Sequence, residues 1–231
     1  MAYWANRKLV DMCATNTITL SEMERLFAKG ATGVRDGWCS AAYYLCYYRN
    51  AECLEAYLRL APSDIPLNAA DSHGERPVQG ACSGKRSNRH KDDPRCLELL
   101  LAAGAHPAFT SQFGLTPLMY AAGAFSSPKP RIVALLLSDP RVATLVHLSL
   151  RDNIYNRTAE EWAVCYGSEE NASLIRTARE QAVSTYCYVY TSFFQLTRLV
   201  MSGGVGRQVH HLFPLHVDWS EGPVCPSVSV A

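Results

Sequence analysis

The chain has almost no net charge. Its 22 Lys and Arg stand against 21 Asp and Glu in 231 residues, a formal +1. No global field steers it toward nucleic acid or a membrane surface, and neither is expected as a partner. Long apolar stretches are also wanting. The uncharged window Gln181–Thr197 is too short, and too rich in Ser, Thr and Gln, to span a bilayer comfortably. The opening Met1-Ala2-Tyr3-Trp4-Ala5-Asn6-Arg7-Lys8 lacks the apolar stretch of a secretory leader.

Motifs that carry chemistry are missing too. Gly203-Gly204-Val205-Gly206-Arg207 has no apolar strand before it and no helix after it, so it does not read as a phosphate cradle. Cys82, His90, Cys96 and His106 are spaced 8, 6 and 10 apart, unlike the tight pairs that ligate zinc. His210, His211 and His216 read as surface histidines of the tail. Nothing singles out a Cys–His nucleophile among the nine cysteines. No enzyme, cofactor or metal is expected. The cysteine count is odd and contains no Cys-x-x-Cys, which excludes a tidy disulfide framework. Reduced thiols packed as small apolar side chains in a cytosolic or nuclear protein fit better.

What the chain does have is a recurring phrase. Its clearest copy is Gly114-Leu115-Thr116-Pro117-Leu118-Met119-Tyr120-Ala121-Ala122. Weaker copies start at Gly37, Gly74 and Asn156, so the steps between starts are 37, 40 and 42 residues. Such a period marks stacked supersecondary units. Gly114 tolerates positive φ in a tight turn, Thr116 is a good helix N-cap, and Pro117 suits the first helical position. Leu118, Ala121 and Ala122 then share one face, with alanines small enough for close helix approach. Apolar runs at Arg95–Ala105 and Arg131–Leu137 predict second helices buried on two sides. Gly104 suits the left-handed stop of the first of these.

These residues resemble the ankyrin repeat, whose core phrase is Gly-x-Thr-Pro-Leu-His-x-Ala-Ala followed by an apolar helix ending Leu-Leu-x-x-Gly-Ala. Residues 94–107 and 114–137 match specifically; the copies at about 35–61 and 152–178 match in outline. The resemblance implies an all-α solenoid of helix-turn-helix units with short β-hairpin loops, and binding of another protein through its concave face and hairpin tips. Residues 1–31 read as an N-terminal cap unit, 32–180 as the repeats and 181–231 as a C-terminal extension. In the cap, Ser21-Glu22-Met23-Glu24 has the capping-box pattern, with Leu26 and Phe27 facing inward. The family's motif His is replaced by Ala42, Gln79 and Met119. The hydrogen bond such a His gives is therefore expected to be absent, and the repeats softer.

The tips are expected within Thr32–Asp36, Asp71–Glu75, Thr110–Leu115 and Asn153–Arg157, with Trp38, Tyr43, Tyr47, His73, Phe113 and Tyr155 as contact candidates. Tyr43, Tyr44, Tyr47 and Tyr48 crowd one short helix. They can fill volume that alanine leaves empty, or form an aromatic binding patch. Two insertions fall at equivalent points, so Lys85, Arg86, Arg89, Lys91 and Lys129 can line up as solvated loop charge or as a basic ridge for an acidic or phosphorylated peptide. Asp92 and Asp93 read as solvated charge beside them.

The tail opens with Tyr186-Cys187-Tyr188-Val189-Tyr190, β-favouring by composition. Phe193, Leu196, Val200 and Met201 then make an apolar helical stripe, and Phe213-Pro214-Leu215-His216 follows. Segment 192–216 is weakly similar to a suppressor-of-cytokine-signalling box. Thr197 stands where that box has its buried Cys, and His216 where it has Pro. The similarity implies docking of elongin B and C and a cullin through Phe193, Leu196, Val200, Met201, Pro214 and Leu215, making the chain a ubiquitin-ligase substrate receptor.

Overall fold

The computed structural model describes residues 2–34, 40–61, 67–83, 92–123 and 128–202, without the side chains of 195–202. The chain divides into a first body, Met1–Arg179, and a second, Glu180–Ala231. Helices α1 (Ala2–Ala14), α2 (Leu20–Phe27), α3 (Ala41–Tyr47), α4 (Ala51–Leu60), α5 (Pro77–Ser83) and α6 (Arg95–Ala102) come first. Then follow α7 (Pro117–Ala122), α8 (Pro130–Leu137), α9 (Leu145–Leu148), α10 (Ala159–Cys165) and α11 (Glu169–Ser202). The described residues contain no strand.

Within the first body the helices pair as α1 with α2, α3 with α4, α5 with α6 and α7 with α8. The first members stack in chain order, α1 on α3, α3 on α5, α5 on α7 and α7 on α10. The second members α2, α4 and α6 follow the same order. Small residues make the first row possible: Ala41, Ala42, Ala81, Ala121, Ala122 and Ala163 are all buried. The second row brings the bulk, with Leu54, Leu97, Leu100, Ile132 and Leu136 fully buried. Together they form one apolar core.

The phrase works as its chemistry dictates. Thr116 is the N-cap of α7; its hydroxyl accepts from Met119 N at 3.1 Å, and Pro117 occupies the first turn. The turns before α5, α7 and α10 are each spanned by a backbone bond of 3.0 Å, from Asp71 N to Glu75 O, Ser111 N to Leu115 O and Asp152 N to Arg157 O. In the first two, Gly74 N and Gly114 N donate back to Asp71 O and Ser111 O at 3.0 Å. They are turns rather than the expected β-hairpins, because each arm is too short to pair further. Gly74 and Gly114 sit at φ +73° and +72°, and a Cβ on Gly74 would stand 2.7 Å from Gln112 N of the next turn. Both positive φ and close approach demand glycine there. Asn156 takes φ 55° at the last turn, which asparagine tolerates.

The missing motif histidine leaves less of a gap than expected. Gln79 Oε1 accepts from Arg76 N at 2.7 Å, and Met119 Sδ from Thr116 N at 3.4 Å. Glu161 does the same for Thr158 N at 2.9 Å. In α7 and α10 the side chain three residues in closes a full capping box, whereas at α5 Gln79 supplies its half alone, since the Arg76 side chain cannot accept. In the cap unit the N-cap is Thr19, whose hydroxyl accepts from Glu22 N, and not Ser21, which lies inside α2. Leu26 is buried and Phe27 half-buried. Asp92 is not solvated loop charge: its carboxylate accepts from Arg131 N at 2.6 Å and Ile132 N at 3.0 Å. It thus places a negative group at the positive end of α8 in the next unit.

The Tyr186–Tyr190 segment is helical, contrary to its β-favouring composition. It continues a helix already started at Glu169 and carried through Ala178, Glu180, Gln181 and Ala182, all good helix residues. Propagation then outweighs a weak local preference, which has no neighbouring strand to satisfy it. In the second body Tyr186 and Tyr190 stack at 6.3 Å along this helix.

Candidate protein-binding face

The three described turns are tied to each other. Gln112 N donates to His73 O at 3.0 Å and Asn153 N to Phe113 O at 2.8 Å. These bonds set His73, Phe113 and Tyr155 on successive rungs of one row. His73 is exposed and contacts Gln112 Nε2 through its Nδ1 at 3.2 Å. Phe113 is 39% and Tyr155 59% exposed. Trp38, the fourth candidate for the row, lies outside the described residues.

The carboxylates of the turns point into their own backbones. Asp71 Oδ1 accepts from His73 N and Glu75 N, both at 2.8 Å. Asp152 accepts from Ile154 N at 2.8 Å, Tyr155 N at 2.7 Å, Arg157 N at 2.9 Å and the indole Nε1 of Trp162 at 2.9 Å. Burial works to raise the Asp152 pKa, but the donors from Tyr155, Arg157, Ile154 and Trp162 outweigh it and hold the carboxyl below its usual value. Trp162 in turn stacks on Tyr166 at 5.6 Å and meets Tyr155 edge-on at 5.5 Å.

Two guanidinium groups sit over aromatic rings here. Arg76 covers Phe109 at 4.3 Å, and Arg157 lies 5.1 Å from the Tyr155 ring and 5.5 Å from that of Trp162. Neither arginine, nor Phe109 and Trp162, stood out in the sequence. Their signal was only their place beside each turn.

On the inner helices, Tyr43 and Tyr47 come together as a stacked pair at 6.0 Å. Tyr43 OH donates to Glu75 Oε2 at 2.5 Å, and Tyr120 OH to Glu75 Oε1 at 2.7 Å. One carboxylate thus links α3, a turn and α7. Burial, and then the Glu75 carboxylate, push the Tyr120 phenol well above its usual pKa. Tyr48 OH donates to Ala14 O at 2.8 Å and anchors α3 to α1. The tyrosine cluster is half-buried. It fills volume around α3 and remains partly open to solvent.

The basic ridge is corrected at its one described member. Lys85, Arg86, Arg89 and Lys91 lie outside the described residues. Lys129 is only 8% exposed; its Nζ donates to Cys82 O at 2.7 Å and to Ser83 O. Arg49 donates to Ala81 O beside it. Two cations from flanking units therefore satisfy the carbonyl end of α5, where a helix favours positive charge. Lys129 is spent on this bond and unavailable to a peptide.

Burial first, and the Arg49 charge next, push the Lys129 pKa from 10.5 down to about 8. The folded chain gives up this proton before the unfolded chain does. Between those values the unfolded state holds more protons, so stability rises with pH and is lost as pH falls through about 8. Urea unfolding of the wild type should gain on the order of 2 kcal/mol relative to Lys129→Met from pH 7 to pH 10.5. A flat difference between the two proteins would contradict this burial.

The remaining candidates belong to the second body. Phe193 is 57% exposed on α11. The side chains of Leu196, Val200 and Met201, and all of Pro214 and Leu215, lie outside the described residues. Cys13, Cys46, Cys53, Cys82 and Cys96 are buried free thiols, and burial pushes Cys13 and Cys82 up to about 12. Among the described residues no group of three or more His, Cys, Asp and Glu is placed to hold a metal ion. No described helix is long and apolar enough to cross a membrane. Comparison with models of known protein families and with curated proteins gives no match.

Proposed function

We propose that this chain is a protein-binding module, an ankyrin-type solenoid that grips a partner polypeptide along its turn tips and inner face and performs no chemistry of its own. The observation that carries this reading is the tip row. Backbone bonds between successive turns fix His73, Phe113 and Tyr155 in register while leaving their side chains to solvent. Exposed aromatics on a rigid edge are the kind of anchor that dominates binding energy at protein interfaces. Tyr43 and Tyr120, whose hydroxyls Glu75 holds in place, and Tyr47, stacked on Tyr43, extend that surface.

A second reading rests on Phe193. It stays exposed on a helix that runs on to Ser202, as docking to elongin C would need. One co-purification from cells reads both. The wild type should capture a stoichiometric partner that the double variant Phe113→Ser, Tyr155→Ser loses at unchanged melting temperature. Equal capture by both proteins would reject the tip row. Adding elongin B and C with a Phe193→Ala control tests the ligase reading, which fails if the wild type binds neither.

A further inference from the structure

We propose that the tip row receives an acidic, aromatic-bearing extended segment of its partner, with the Arg157 guanidinium as the group that meets the segment's carboxylate. This rests on the protein-binding reading above and names the partner's chemistry at the same surface.

Positive charge is left over along the row. Each acid near the row is already engaged. Asp71 and Asp152 are taken up by their own turns, and Asp152 is almost fully buried, at 2% exposure. Glu75 holds two tyrosine hydroxyls. Glu161 is held by Arg151 in a two-pronged pair at 2.8 and 2.9 Å and by Thr158 N. The cations are not neutralised in the same way. Among the described residues, neither Arg76 nor Arg157 has a carboxylate within ion-pair distance.

Arg76 still spends its donors on Asn68 O, Gly74 O and Thr110 O. Arg157 spends one on the Cys165 sulfur at 3.1 Å and is otherwise braced by the faces of Tyr155 and Trp162. A guanidinium held against two aromatic rings loses little further freedom when a carboxylate arrives, and its planar fork fits that group in two-pronged fashion. Tyr155 stands beside it, and Phe113 lies one rung along the row, both exposed and apolar enough to take an aromatic side chain. Because the turns repeat along one edge, the segment that touches several of them is extended. A nucleic acid is the poorer occupant: the chain's formal charge is +1, far from the basic surface that phosphate backbones select.

Fluorescence anisotropy on the full chain tests this with labelled peptides that alternate tyrosine with glutamate, glutamine or lysine, and with labelled oligothymidylate. The glutamate peptide should bind about tenfold tighter than the other three probes and weaken as salt is raised. Arg157→Gln should cost it about fivefold to tenfold and leave the glutamine peptide unchanged, while Arg157→Lys should recover part of the loss. Equal binding of the glutamate and glutamine peptides overturns the proposal. So does preference for the lysine peptide or the oligonucleotide, no binding of any peptide, or indifference to Arg157→Gln. If the co-purified partner is lost with Phe113→Ser, Tyr155→Ser yet kept with Arg157→Gln, the module reading survives and the acidic ligand does not.

Discussion

Asp152→Ala should lower the unfolding free energy by about 3–4 kcal/mol, a large share of what a domain of this size has to lose. The substitution removes one carboxylate that four donors share, three backbone N–H groups and the Trp162 indole. The residues that carry the Ile154 and Tyr155 amides are exposed, so water replaces part of those bonds. Trp162 is only 6% exposed, and its Nε1 would be left without an acceptor, at about 1–3 kcal/mol for that group alone. Asp152→Asn keeps one acceptor but turns an NH₂ toward donors, so it should lose about half as much. The folded carboxyl titrates below its unfolded value. Its contribution is therefore present near neutral pH and disappears only in acid, as pH falls through the folded value. Urea unfolding followed by tryptophan fluorescence reads the effect. A loss below about 1 kcal/mol would mean that the last turn is held by something other than this carboxylate. The same variant should loosen the Asn153–Phe113 link and with it the end of the tip row.

The sequence marked that turn only in outline. Asn156-Arg157-Thr158 lacks the glycine and proline of the best copy, yet Asn156 reaches the same left-handed φ and Thr158 the same capping role. Helix starts were legible because cap chemistry is local: a hydroxyl, a proline and two alanines suffice to predict α7. Helix ends were less so. The β-favouring tyrosines at 186–190 carry no information about the helix arriving from Glu169, and that helix decided their state.

Of the candidate site, the exposed aromatics His73, Phe113 and Tyr155 were legible because a tip residue after a turn aspartate or serine has nowhere to hide. The polar links were not. Tyr120 and Glu75 are 45 residues apart, and Lys129 and Cys82 are 47 apart, so only the stacking of whole units brings them together. The misreading of Lys129 has the same origin. A lysine between two prolines in a polar loop looks solvated, and nothing nearby announces the bare carbonyl end of α5, a unit away. Arg157 carries no signal in the sequence beyond its place in the last turn, because its ring partners Tyr155 and Trp162 meet it only once that turn is folded against α10.

Gly80 gives the sharpest test of how closely the first-row helices must approach. Helix propensity alone favours Gly80→Ala by about 1 kcal/mol, since glycine is a poor interior residue. The packing opposes it: a Cβ there would lie 2.8 Å from the carbonyl oxygen of Tyr43 and 3.0 Å from its ring. The first of these is backbone and cannot swing aside, so α3 and α5 must part, and Tyr43 must shift from its bond to Glu75. Gly80→Ala should therefore destabilise by about 2 kcal/mol despite its better propensity, and Gly80→Val by about 3–4 kcal/mol. Gly104→Ala is the matched control. It has positive φ, +89°, but nothing within 4 Å of its Cβ, so it should cost only about 1–2 kcal/mol of backbone strain. Thermal and urea unfolding of the three variants give the order directly. If Gly80→Ala proves as stable as the wild type, the α3–α5 contact has slack, and the tight first row on which the tip register depends is wrong.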